Sequence, residues 1–341
     1  METEQIDRYK KNLDFKKNLK QNPVVKVLLP VERFVKLDII RPVMDSFYCM
    51  RRTAHWNQIM RGTVERNENE LALEALRDSH KGETAFIIGN GPSLHASDLN
   101  LLHEYGAYSF GCNRIGLIFE ETDWRPNCYA AIDRKLLFSD TFVEDMLHKE
   151  HCDYYFFGKK LFECMPPELK QKNTLYIEQK PTNPYKVETD FSAEPEKYLI
   201  SGYTVTNLSI QMAVFMGFTT IGLLGIDCKY AYVADAKGNI VHDERVKETY
   251  FKVKDVTANQ NSAFVDGMMQ AYVTAKKYAE GHGLKIYNCS KDSVLELFER
   301  RDLRQVLEES KNRPCESGVH PQAPFNGIFQ NTALCPGSAA R

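Results

Sequence analysis

No stretch of the 341-residue chain stays apolar for the roughly 18 residues that crossing a bilayer takes. The best run, residues 205–226, is interrupted by Thr206, Asn207, Ser209, Gln211, Thr219 and Thr220. The opening METEQIDRYKKN has no apolar stretch of the kind a secretory signal carries, so none is expected. The nine cysteines, at 49, 112, 128, 152, 164, 228, 289, 315 and 335, are odd in number and form no C-x-x-C pair. That usage excludes a zinc ribbon and a disulfide framework and fits a reduced, cytoplasmic protein. There is no excess of either charge: 44 Lys and Arg face 46 Asp and Glu, a net of −2. The chain therefore lacks the basic field of a dedicated nucleic-acid binder. No carboxylates recur at metal-ligand spacing and no internal repeat is visible, so neither a metal site nor a repeat array is expected. With 43% hydrophobic and 26% charged residues the composition is that of a globular protein, not a collagenous, coiled-coil or wholly disordered one.

Residues 1–80 read as a helical N-terminal arm. Their first 52 positions hold twelve Lys and Arg against seven Asp and Glu. Apolar residues recur from Val24 to Ile40, and Pro23, Pro30 and Pro42 are expected to break the segment into short pieces. Such an arm either packs on the main domain or a partner subunit in a homo-oligomer, or rests peripherally on an anionic membrane through residues 1–52. A helix is expected over about 65–79.

From residue 81 to about 310 short β-type runs alternate with helical stretches. The runs are at 84–88, 108–113, 128–133, 154–157, 174–177, 220–224 and 284–287, and the clearest helices at 205–217 and 266–282. That alternation predicts an α/β, Rossmann-like domain with a mainly parallel sheet and flanking helices. The Pro-rich stretch 165–200 reads as an irregular connection. The aperiodic, aromatic-rich stretch 228–262 reads as a lid, and residues 311–341 as a disordered tail.

The chemistry is expected where strands end. Gly89-Asn90-Gly91-Pro92-Ser93 follows the first run, and two glycines permit a sharp turn and close approach of a ligand. Pro92 and Ser93 suit the first positions of a helix, whose free N–H groups favour phosphate. The loop is neither the dinucleotide G-x-G-x-x-G nor a Walker loop; a nucleotide-phosphate cradle and a plain tight turn both remain open. Asn113-Arg114, Asp133 and Gly225-Ile226-Asp227 follow further strands. In a parallel sheet such ends share one crevice, so these groups either converge on a nucleotide or cap their own strands.

In their order, Ile88 to Leu94, Cys112-Asn113, Ser201-Gly202, Gly217-Phe218 and Gly225-Ile226-Asp227 resemble the bacterial lipooligosaccharide sialyltransferases. They also resemble the motility-associated-factor flagellin glycosyltransferases, which share a domain with archaeal 6-hydroxymethylpterin pyrophosphokinases. Lys285 to Ser290 followed by Leu295 to Phe298 resembles the end of that domain, so the likeness covers about 83–305. The resemblance implies an inverting glycosyltransferase that needs no metal and no cofactor. It would move a nonulosonic acid from a CMP-activated sugar to a hydroxyl of a glycan or glycoprotein acceptor, in lipopolysaccharide or capsule assembly. It implies that Asn90, Asn113 and the Ser201-Gly202-Tyr203 turn hold the nucleotide beside Asp227. It also implies that lid tyrosines, with Tyr230 and Tyr232 nearest in position, touch the departing phosphate. The lid histidine of those enzymes has no direct counterpart. His242 is the one His in 228–262, with Tyr250 and Asp243 weaker candidate bases. A pyrophosphokinase-like enzyme and a non-catalytic nucleotide-sugar-binding protein are the alternatives.

Overall fold

In a computed structural model the protein is described at residues 31–32, 34–138, 142, 152–170, 173–180, 190–234, 240–242, 246 and 263–311. Its centre is an eight-stranded sheet built from β1 (Thr84–Ile88), β2 (Tyr108–Cys112), β3 (Cys128–Ala131), β4 (Tyr154–Gly158), β5 (Thr174–Ile177), β8 (Thr220–Leu224), β11 (Lys285–Asn288) and β12 (Glu299–Arg300). The spatial order is β12-β11-β8-β1-β2-β3-β4-β5, and every pairing is parallel. The chain runs outward from β1 to β5 on one side, then returns to β8 on the other. The switch point therefore lies between β1 and β8, and the crevice above their carboxyl ends is where such sheets bind ligands.

The strands are apolar on both faces because both are covered. Ala85 and Ile87 point into one core with Leu208, Met212 and Tyr272; Phe86 and Ile88 point into the other with Leu99, Ile118 and Leu307. The first layer carries α2 (Glu68–Glu74), α5 (Val205–Phe215) and α6 (Val265–Gly281), and the second α3 (Ala96–Tyr105), α4 (Lys159–Cys164) and α7 (Leu303–Lys311). The fold is the expected three-layered, Rossmann-like α/β architecture.

Several expectations need correction. Pro42 does not break the arm: a π-helical turn over Val35–Ile40 continues directly into a 20-residue helix, α1 (Arg41–Met60), and Pro42 stands at their junction. The helix expected at 65–79 is regular only over Glu68–Glu74, opened by a capping box between Asn67 and Glu70. The chain then turns and hydrogen-bonds the end of α5, with Asp78 N–H on Phe215 O at 3.1 Å and His80 N–H on Met216 O at 2.8 Å. The stretch 165–200 is not wholly irregular, since β6 (Gln179–Lys180) pairs in parallel with β7 (Leu199–Ile200). Within 228–262 an antiparallel hairpin forms from β9 (Tyr232–Ala234) and β10 (Ile240–His242). The tail from 312 onward lies outside the described residues.

One buried side chain fixes the start of α5. Gln211 accepts from the N–H groups of Ile200 (3.0 Å) and Ser192 (3.1 Å) and donates to Ile200 O (2.6 Å) and Asn207 O (3.0 Å). Gln211→Leu leaves those backbone groups without their partner and is expected to lower stability by about 3 kcal/mol, read as a lower urea midpoint at unchanged slope.

Candidate functional site

A cleft of about 460 Å³ opens at the carboxyl ends of β1, β2, β3 and β8. Its floor is Gly89, Asn90 and Gly91. One wall carries Cys112, Asn113 and Asp133, and another carries Gly225 to Tyr230. The N-terminus of α5 closes the third side with Tyr203, Thr204 and Thr206.

The Gly-rich loop is not an open cradle. Gly89 N–H donates to Leu224 O and Gly91 N–H to Gly225 O, each at 2.8 Å. Ser93 N–H donates to Asp227 Oδ2 at 2.8 Å, and the Ser93 hydroxyl donates to Asp227 Oδ1. The loop after β1 is thus latched to the loop after β8, and a carboxylate from within the chain takes the place expected for an incoming anion. The latch explains the glycine: a Cβ on Gly91 would lie 2.5 Å from Asp227 Cγ. Pro92 and Ser93 form a turn rather than the first helical residues, because α3 begins only at Ala96. Burial raises the Asp227 pKa, opposed by the two bonds from Ser93.

What the loop does offer is a side chain. Asn90 is buried, and its amide donates to Cys112 O at 3.0 Å, while its Oδ1 has no hydrogen-bond partner in the protein. An orphaned buried acceptor costs about 1–3 kcal/mol, and a ligand donor would relieve it. The second exposed opportunity is α5. Two consecutive left-handed residues, Gly202 (φ 57°) and Tyr203 (φ 62°), turn the chain so that the helix starts at the cleft. A Cβ on Gly202 would lie 2.6 Å from the Ala271 Cβ, so only glycine fits. Thr204 caps the helix by accepting from Thr206 N–H at 3.3 Å, and the positive end of the helix faces the cavity. Tyr272, buried below, bonds the Thr204 and Thr206 side chains; burial holds its hydroxyl protonated. The cleft thiols are inert: burial pushes both Cys112 and Cys228 up to about 12.

The family model described as 6-hydroxymethylpterin diphosphokinase MptE-like matches residues 62–233, half of the chain. The chain belongs to the MptE-like family. The matched residues run from the turn before α2 through β9, and so contain the latch, Asn90 and the start of α5. No curated protein matches the chain. Among solved structures it is similar to a MAf glycosyltransferase from Magnetospirillum magneticum AMB-1, at 16% identity and a TM-score of 0.42. That match covers 78% of this chain and 43% of the other, so the chain spans under half of that relative. It is also similar to the sialyltransferase CstII from Campylobacter jejuni in complex with a substrate analogue, cytidine-5'-monophosphate, at 16% identity and a TM-score of 0.39. There the match covers 64% of this chain and 85% of the other.

In this MptE-like protein the cleft brings together Gly89, Asn90, Gly91, Asn113, Asp133, Tyr203, Gly225, Asp227 and Tyr230 of the residues singled out by sequence. Pro92, Ser93, Arg114, Ser201, Gly202 and Tyr232 do not line it. Arg114 instead precedes a 3-10 turn over Ile115–Glu121. Ser201 and Gly202 shape the turn into α5, while Asp133 accepts from Lys135 N–H at 2.9 Å and caps its own turn. His242 pairs with Tyr232 at the base of the hairpin, close in chain to Tyr230 on the cleft wall. Asp243 and Tyr250 lie outside the described residues. Sequence reasoning missed Thr204 and Thr206, although a threonine before an apolar helical run is an N-cap signal. It also missed Tyr272 and Met268, which reach the cleft from α6 as parts of its apolar stripe.

If the latch holds the loop, Asp227→Ala leaves two Ser93 donors unpaired and is expected to cost about 2–3 kcal/mol by denaturant unfolding, with Asp227→Asn losing less. Equal stability of all three proteins would show the contact to be idle.

Proposed function

We propose that the protein is a glycosyltransferase that passes a nonulosonic acid from a CMP-activated donor to a hydroxyl of a surface glycan or glycoprotein. The observation that carries this reading is the pairing, within one polar cleft, of an orphaned buried acceptor on Asn90 with the open N-terminus of α5. A cytidine monophosphate group matches that pair. Its base amine or ribose hydroxyls are donors for Asn90 Oδ1 and Asn113, and its phosphate suits the positive helix end, the Thr204 and Thr206 hydroxyls and Lys135. The phosphate site of this reading is therefore α5 and not the Gly-rich loop, where the Gly89, Gly91 and Ser93 amides are taken.

The reaction breaks the bond from the sugar's anomeric carbon to the phosphate oxygen and forms one to the acceptor oxygen, with inversion. Negative charge grows on the departing phosphate, where preorganised donors at α5 and the nearby tyrosines stabilise it. His242, at the base of the β9–β10 hairpin, takes the acceptor proton. In this reading the β9–β10 hairpin, which follows Tyr230 of the cleft wall by two residues, limits water, the competing acceptor. The reading calls for neither a metal nor a cofactor. Of the two carboxylates that line the cleft among the described residues, Asp227 accepts from Ser93 with both oxygens and Asp133 accepts from Lys135 N–H through Oδ1.

A second reading has its own support in the description of the matched family: diphosphoryl transfer from a magnesium-bound nucleotide. The two separate in a thermal-shift series with CMP, CDP, ATP and GTP, with and without Mg²⁺. Stabilisation by CMP or CDP without Mg²⁺, with CMP release from a CMP-sugar, supports glycosyl transfer. Stabilisation confined to ATP or GTP with Mg²⁺ moves the protein to the second class, and CMP binding without turnover of any CMP-sugar reduces it to a binding protein.

Asn90→Ala is expected to weaken CMP about tenfold by titration calorimetry, the weight of roughly one hydrogen bond. His242→Ala is expected to lower turnover by about 10²–10⁴ while CMP affinity stays within about twofold. A fully active variant removes His242 as the base.

A further inference from the structure

Helix α1 is attached inside out. The face it turns to the domain is polar: Tyr48 OH donates to Glu178 Oε2 at 2.6 Å, and His55 lies 2.9 Å from Glu70. Arg52 reaches the carbonyls of Glu196 (2.6 Å) and Lys197 (3.1 Å) while lying near Glu70 and Glu178. These bonds fix the helix in rotation, so its apolar face must point away. Val43 (68% exposed), Met44, Phe47 and Met50 (63%) stand at the helical spacing of one stripe, and Ile39 and Ile40 extend it backward. Of the twelve large hydrophobic residues exposed among the described residues, ten fall within 31–60 and only Leu71 and Val294 lie elsewhere. Soluble surfaces rarely carry so concentrated a patch without an occupant.

The charges beside the stripe select the occupant. Asp45 is paired with Arg41 at 3.6 Å and is half-buried, so the fully exposed residues of α1 include Arg51 and no acid. Arg61 follows at the helix end, and residues 1–52 hold five more basic than acidic residues. A surface that is apolar and cationic complements an anionic bilayer, into which an amphipathic helix sinks its side chains while arginines meet headgroups. No helix among the described residues is long and apolar enough to span a bilayer, so the contact is one of lying on the surface.

We infer that α1 is a membrane-docking helix, held by a polar network so that its Val43–Met44–Phe47–Met50 face lies on an anionic lipid surface. The inference is independent of what the cleft binds.

The full chain is tested by flotation with vesicles of phosphatidylcholine alone and with about 30% phosphatidylglycerol, at about 0.1 M and 0.5 M salt, between which the screening length shortens about twofold. Binding to anionic vesicles is expected, at least tenfold weaker on neutral vesicles and at high salt. Phe47→Glu with Met50→Glu is expected to abolish it while Tm is unchanged, since both side chains already face solvent. Sedimentation velocity without lipid is the second readout. Absence of flotation overturns the proposal whatever the oligomeric state; if the double variant also converts a dimer to monomer, the stripe belongs to a second copy. Equal binding by the double variant and the unaltered chain overturns it too, because the lipid contact would then lie elsewhere.

Discussion

The site rests on the contact between Ser93 and the Asp227 carboxylate, 134 residues apart in sequence. It joins the loops after β1 and β8, the strands on either side of the switch point, where a Rossmann-like sheet would otherwise part and admit a ligand. Both carboxylate oxygens are engaged and the group is buried, so the contact acts in a medium where charge-assisted bonds are strong and unpaired groups expensive. Once the loops are joined, the Gly-rich turn becomes a floor, and the ligand-facing functions pass to its neighbours. The amide side chain of Asn90 and the first turn of α5 are what remain open.

That displacement gives α5 more to do than pack. Its first turn must stand at a fixed height over the floor, and three devices set it. Gln211 bonds both the strand before the helix and the helix itself. Gly202 and Tyr203 make a turn of two left-handed residues, the first of which must be glycine because a Cβ there would meet Ala271. Tyr272, on α6, ties the Thr204 and Thr206 side chains from behind. Each lies outside the Gly-rich loop, so the loop and the helix end are positioned by separate parts of the core and meet only at the cleft.

The framework was legible in the sequence. Runs such as Thr84–Ile88, Tyr154–Phe157 and Thr220–Leu224 are apolar without alternation, as strands covered on both faces must be, and their ends correctly announced a shared crevice. What was not legible depended on partners far along the chain. Nothing local to Gly89–Ser93 says that Asp227 will take the Ser93 amide and that the Leu224 and Gly225 carbonyls will take those of Gly89 and Gly91. Arg114 follows a strand like Asn113 does, yet the backbone turns after Asn113 (φ 51°) and carries it away from the cleft. Pro42 reads as a breaker by itself, and only the helical residues on both sides of it make it part of one continuous arm, whose helix α1 buries Ile59 alone. Orientation of an amphipathic helix is decided by which face finds partners, and here Glu70, Glu178 and the Glu196 carbonyl are partners for the polar face.

Under the proposed reading, the cleft would belong to a sugar-transferring member of a family described by a diphosphokinase. Both proposed reactions need a nucleotide phosphate held at a helix end over the sheet, the place that the start of α5 and Asn90 would fill in either. They differ in what stands at the far side of the phosphate. Diphosphoryl transfer calls for carboxylates free to hold a cation against two phosphates, whereas glycosyl transfer from a monophosphate calls for a proton acceptor and a cover against water. In this chain Asp227 is committed to Ser93, and the element beside Tyr230 is a hairpin that places His242 opposite Tyr232. Both oxygens of Asp227 already accept from Ser93, so a cation drawing on that carboxylate would compete with the contact that gives the cleft its shape.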